Sequence, residues 1–140
     1  MSTKFGTAIA KGENSLKVGE EAARKAMEKI GDGKVDFSLV FASSQYDYRS
    51  VVKGVRKVTG NAPLIGCSTA GEFNEERVEK GSVVCGLIAS DSHRFFTGLG
   101  RGLRRDEIAT LQEAAAGLPS IVEGYPHLCD CSRGWPGRQR

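Results

Sequence analysis

Hydrophobic and polar positions follow two different periods along the first half of the chain. Lys4 to Lys11, KFGTAIAK, has the length and apolar content of a short strand. The turn GEN follows, with Asn14 or Ser15 placed to cap a helix. From Leu16 to Ile30 the apolar positions Leu16, Ala22, Ala23, Ala26, Met27 and Ile30 recur at helical spacing. Glu20 and Glu21 sit early and Lys25 and Lys29 late, as the helix dipole favours, and Glu21 precedes Lys25 by one turn. Gly31 to Gly33 stop the helix. Val35 to Ala42, VDFSLVFA, predicts a second strand; its end, Leu39 to Ala42, is apolar throughout, as in a strand covered on both faces. Asp47 caps a second helix whose apolar face is Tyr48, Val51, Val52, Val55 and Val58. These residues are mostly β-branched, but their spacing is helical. TGNAP ends that helix, and Leu64 to Cys67 is a third strand.

Strand, helix, strand, helix, strand is the signature of an α/β layer with parallel neighbours. Beyond Glu72 the pattern changes. NEERVEKG is polar and reads as a surface loop, and SVVCGLIAS, Ser82 to Ser90, as a strong strand. DSH makes a turn, after which RFFTGLG is expected to return as an antiparallel partner. Asp106 caps a third helix reaching about Ala116, with Ile108, Leu111, Ala115 and Leu118 apolar. The expected class is α/β: a three-layer-like βαβαβ unit followed by an antiparallel β-hairpin and a helix.

The last segment, GYPHLCDCSRGWPGRQR, has neither period. It holds the only Trp, two of four Cys, one of two His and two of four Pro. The expectation is one domain over residues 1–122. Residues 123–140 would form a disordered, frame-shifted or otherwise non-homologous tail.

The chain has 140 residues, enough for one core, and its 39% hydrophobic and 26% charged residues argue against disorder. No apolar run approaches the roughly 20 residues of a membrane helix, and the first residues lack a secretory apolar region. The expected setting is cytoplasmic. Net charge is +3, of which the last fifteen residues contribute +2. The main body therefore lacks the basic stripe that nucleic-acid binding needs.

The stretch PLIGCSTAGEF, Pro63 to Phe73, concentrates the candidate chemistry. An apolar run ends at Ile65, small and hydroxylated residues follow, and Glu72 closes the series. At the C-terminal edge of a parallel sheet such a turn faces the crevice where ligands bind. Gly66 and Gly71 permit close backbone approach or positive φ, and exposed N–H groups form a nest for a carboxylate or phosphate. Cys67, Ser68 and Thr69 lie within it, and Glu72 can accept from an ammonium group; together they suit a zwitterion such as an amino acid. The alternative is an ordinary tight turn packed against a helix. FASSQYDY ends the neighbouring strand, bringing Ser43 and Ser44 beside this turn. Asp47 there is either a plain helix cap or a ligand contact.

Cys67 as a nucleophile requires a base, and only His93 and His127 exist. GCSTAG also departs from the nucleophile elbow by one position. A small, partly buried residue is the plainer reading of Cys67, and a thiol-dependent hydrolase or transferase is the alternative. The cysteines and histidines lack paired metal-ligand spacing, so no metal is expected. No phosphate-binding glycine motif follows a strand, so no cofactor is expected; the glycines of GLGRGLRR read as a turn or bulge.

LVFASSQYDYRSVVKGVRK followed by APLIGCSTAGEF resembles the N-terminal region of FIST domain proteins. SVVCGLIASD and the opening AIAKGENSLKVGEEAARKA fit the same pattern, so the resemblance covers roughly residues 4 to 117. It implies a sensory, small-molecule-binding domain of intracellular signalling, with amino acids or related metabolites as ligands and a signalling output domain or protein as partner. It supplies no catalytic residues and points to Gly66 through Glu72 as its signature. It also implies a C-terminal FIST segment that this chain lacks, so the chain reads as truncated or as a non-functional fragment.

Overall fold

The computed structural model describes residues 2–119, in two compact units divided after Phe95. The expectations for 123–140 lie outside these residues.

In the first unit, β1 (Thr3–Ala10) leads into α1 (Ser15–Ile30). The Asn14 side chain accepts from Lys17 N at 3.0 Å, which settles the choice of cap. Next come β2 (Phe37–Ser43), α2 (Tyr48–Thr59) and β3 (Leu64–Thr69). Asp47 caps α2 through Ser50 N at 3.1 Å. Glu21 and Lys25 form the expected pair at 2.6 Å.

NEERVEKG, expected as a loop, supplies the turn and second strand of a small hairpin, β4 (Glu72–Phe73) and β5 (Val78–Glu79). Asn74 makes the turn, its Oδ1 accepting from Glu76 N and Arg77 N at 3.2 and 3.1 Å. The chain then enters β6 (Val83–Ser90).

The main sheet has the order β1-β6-β2-β3, with β2 parallel to β3 and β6 antiparallel to both its neighbours. The α/β class stands. The antiparallel hairpin, however, is β4–β5; residues 94–100 contain no strand. The reason is visible in β6, where every side chain but half-buried Ile88 is buried. So apolar a strand is satisfied at the centre of a sheet, between two neighbours.

α1 and α2 cover one face of this sheet. Ala22, Ala23, Ala26 and Ile30 of α1 and Val51 and Val55 of α2 join Ala8, Val40, Ala42, Cys85 and Leu87 in one core. Tyr48, expected on the buried face, is instead exposed at the first position of α2. The helices meet through glycines: a Cβ on Gly19 would lie 2.3 Å from Val51 O, and one on Gly54 2.1 Å from Leu16 O. Only glycine allows two backbones so close.

In the second unit, α3 (Glu107–Ala115) is capped by Asp106, whose Oδ1 accepts from Ala109 N at 2.9 Å. The expected apolar face of α3 is not buried: Ile108 and Leu111 are exposed, and Thr110 is the buried position. Gly102 takes the expected turn, with φ 93° and its carbonyl accepting from Arg105 N at 2.7 Å, but Gly98 and Gly100 do not. They let residues 98–101 run against α3, where added Cβ atoms would collide with Ala114 O and Thr110 O. Thr110 Oγ1 donates to Arg101 O at 3.1 Å. Among the described residues no helix is long and apolar enough to cross a membrane.

Gly54→Ala tests the helix contact. Alanine raises helix propensity by up to about 1 kcal/mol, but overpacking against the Leu16 carbonyl costs about 1–3 kcal/mol or more. The net expectation is a lower urea midpoint, whereas Lys53→Ala, on the exposed side of α2, leaves the midpoint unchanged.

Candidate functional site

The C-terminal ends of β2 and β3 stand side by side, with Ala42 opposite Ser68 and Ser43 opposite Thr69. The expected adjacency of the two polar strand ends is therefore present. The expected turn begins later, because β3 continues through Thr69, two residues past Cys67. Gly66 serves the strand pairing: a Cβ there would lie 1.9 Å from Val40 O. Gly71 sits in the turn without positive φ, and the nearest atom to an added Cβ, Glu79 O, is 3.8 Å away. Gly71 therefore meets neither condition that would demand glycine.

Glu72 faces inward and is 2% exposed. Its Oε1 accepts from Thr69 Oγ1 at 2.5 Å; its Oε2 accepts from Ser82 N at 3.0 Å and Ser82 Oγ at 2.8 Å. Burial pushes the carboxyl pKa up. The bonds from Thr69 and Ser82, with the charge of Lys11, outweigh burial and hold the group below the usual carboxylate range. Ser82 O in turn accepts from Ser43 N at 3.0 Å. One polar network thus joins the ends of β2 and β3 to the start of β6. Both oxygens of Glu72 are committed to it, so Glu72 shapes the edge from beneath.

The other candidates divide by exposure. Ser43 is buried, Thr69 is half-buried, and Ser44, Cys67, Ser68 and Asp47 are exposed. Asp47 Oδ2 accepts from both N and Oγ of Ser50, which lowers its pKa, and Asp47 N donates to Ser15 Oγ at 3.1 Å. Tyr46, buried beside it, donates from its hydroxyl to Gly81 O at 2.9 Å and accepts from Gly12 N at 3.4 Å. Ser82 and Tyr46 are the edge residues that sequence reasoning missed. A small polar residue opening an apolar run is the signal that Ser82 offered.

The side chains at this edge are hydrogen-bonding groups. Cys67 is exposed on β3, while His93 follows the end of β6, at the edge where β2 begins, and uses Nδ1 on Ser92 Oγ at 2.9 Å and Ser90 Oγ at 3.1 Å. Burial drives the second thiol, Cys85, up to about 12. Among the described residues no group of His, Cys, Asp and Glu could hold a metal ion.

The family profile of the FIST N domain matches residues 36–135, and the chain belongs to that family. FIST domains are sensory domains of signalling proteins. No curated protein matches the chain. Among solved structures it is similar to an FtsZ W319Y mutant from M. jannaschii, at 18% identity and a TM-score of 0.43. That match covers 63% of this chain and 27% of the FtsZ chain, so the chain spans about a quarter of that protein's length.

Two outcomes follow from this geometry. Glu72→Ala leaves three donors without an acceptor and is expected to lose about 3 kcal/mol in urea unfolding. Because folding lowers its pKa, Glu72 stabilises the fold above its ordinary value of 4.5, and that stabilisation disappears as pH falls below it. Glu72→Gln should therefore flatten the decline of stability below that pH. In native alkylation with peptide mapping, Cys67 is expected to react and Cys85 to stay protected until the protein unfolds.

Proposed function

We propose that this FIST-family domain senses an amino acid or related metabolite at the C-terminal edge of β2 and β3, and reports occupancy to a signalling partner in the cytoplasm. The observation that carries this reading is the register that sets Ser43 beside Thr69, on a base fixed by Glu72 and Ser82. Around that base stand the hydroxyls of Ser44 and Ser68 and the ionised carboxylate of Asp47. The ligand carboxylate meets N–H groups at the end of β3, between Thr69 and Gly71, and its ammonium group meets Asp47. Gly66 and Cys67 frame the site from the strand, and the domain performs no catalysis.

Thermal melting against single amino acids and small carboxylates tests this. A ligand at about 100 times its Kd that binds only the folded chain stabilises it by about 2.7 kcal/mol, so one class should raise Tm. Asp47→Asn keeps the helix cap, since the two residues cap comparably, but removes the charge. It should melt like the parent without ligand and bind the amino acid at least about tenfold more weakly, the effect of one charge-assisted hydrogen bond. A panel without any shift, or an unchanged affinity in Asp47→Asn, contradicts the reading.

A further inference from the structure

The opposite edge of the sheet, where β2 and β3 begin and α1 and α2 end, carries a cleft of about 580 Å³. Its apolar lining comes from Met27, Val35, Val58, Ala62, Pro63 and Phe95. The Phe95 ring stacks on Phe37 at 5.1 Å, which fixes one wall. The cleft's charged lining is mainly cationic, from Lys34 and Arg94, both exposed, with His93 beside them. Asp36 is its one carboxylate, and Asp36 Oδ2 already accepts from Ser90 N at 2.9 Å. The end of α2 would oppose an anion through its free carbonyls. Here Arg56 covers that end, donating to Gly60 O at 2.9 Å and Ala62 O at 3.2 Å.

A cleft of this volume, with an apolar wall and several polar groups to orient a guest, can hold a small molecule. We propose that it binds a small carboxylate with an aromatic or branched apolar body. The body lies against Val35, Val58 and Phe95, and the carboxylate meets Lys34 and Arg94. A zwitterionic amino acid fits less well, because its ammonium group would enter beside the same two cations. This site is separate from the one proposed above: the two lie at opposite edges of the sheet and select different charges.

The test is an amide chemical-shift titration of the full chain with phenylacetate, and with phenylacetamide as its neutral counterpart. Phenylacetate is expected to produce saturable shifts at residues 33–36, 58–62 and 93–95. Phenylacetamide should bind about tenfold or more weakly, and Lys34→Gln with Arg94→Gln should weaken phenylacetate by a similar factor. Both substitutions lie on exposed side chains, so the unliganded spectrum should keep its dispersion. Absence of saturable shifts in those segments, equal affinity for the amide, or unchanged affinity in the double variant overturns the proposal. Each of those results leaves amino-acid shifts at Ser43–Asp47 and Thr69–Gly71 untouched, so the two sites fail separately.

Discussion

A carboxylate taken out of water must be hydrogen-bonded, and the arrangement around Glu72 follows from that constraint. Its two oxygens receive one hydroxyl from the end of β3, and a hydroxyl and an N–H from Ser82, which precedes β6. The carbonyl of the same serine receives the N–H of Ser43 at the end of β2. Three strand ends are therefore fixed to one another by polar bonds at the margin of the core. Exposed groups such as Ser44, Ser68 and Asp47 stand on that rigid base. Groups meant to recognise a small ligand need such support, because loose side chains lose affinity to ordering.

The rest of the first unit brings these ends together. The crossover through α2 makes β2 and β3 parallel, and glycines at positions 19 and 54 let α2 sit against α1 at backbone contact. The same topology gives the sheet two chemically different edges. Hydroxyls and carboxylates gather where the parallel strands end. Apolar side chains and cations gather where they begin.

Much of this was readable in the sequence, for physical reasons that can be named. α1 and α2 announce themselves by apolar spacing and by the caps Asn14 and Asp47, which are local signals. β2 and β6 announce themselves as continuous apolar runs. Strand order did not follow, because pairing is nonlocal: nothing near Val83–Ser90 states that this strand inserts between β1 and β2 rather than folding back on residues 94–100. In the sequence Gly66 fits either a ligand's approach or a packed turn, whereas its missing Cβ admits Val40 O of the adjacent strand; a small residue alone does not say what approaches it. Of the candidate site, the adjacency of Ser43 and Thr69 was legible. The inward direction of Glu72 was not, since its partner Ser82 lies ten residues away across a hairpin whose turn is set by Asn74.

The proposed sensing function requires that a small zwitterion bind at the edge bearing Ser43 and Thr69. The most direct measurement is an amide chemical-shift map of the isotope-labelled chain with a mixture of amino acids, then with each alone. Saturable shifts centred on Ser43–Asp47 and Thr69–Gly71, produced by particular amino acids, are expected. Amino-acid shifts centred elsewhere, or an unchanged spectrum at millimolar concentrations of every amino acid, would contradict that function.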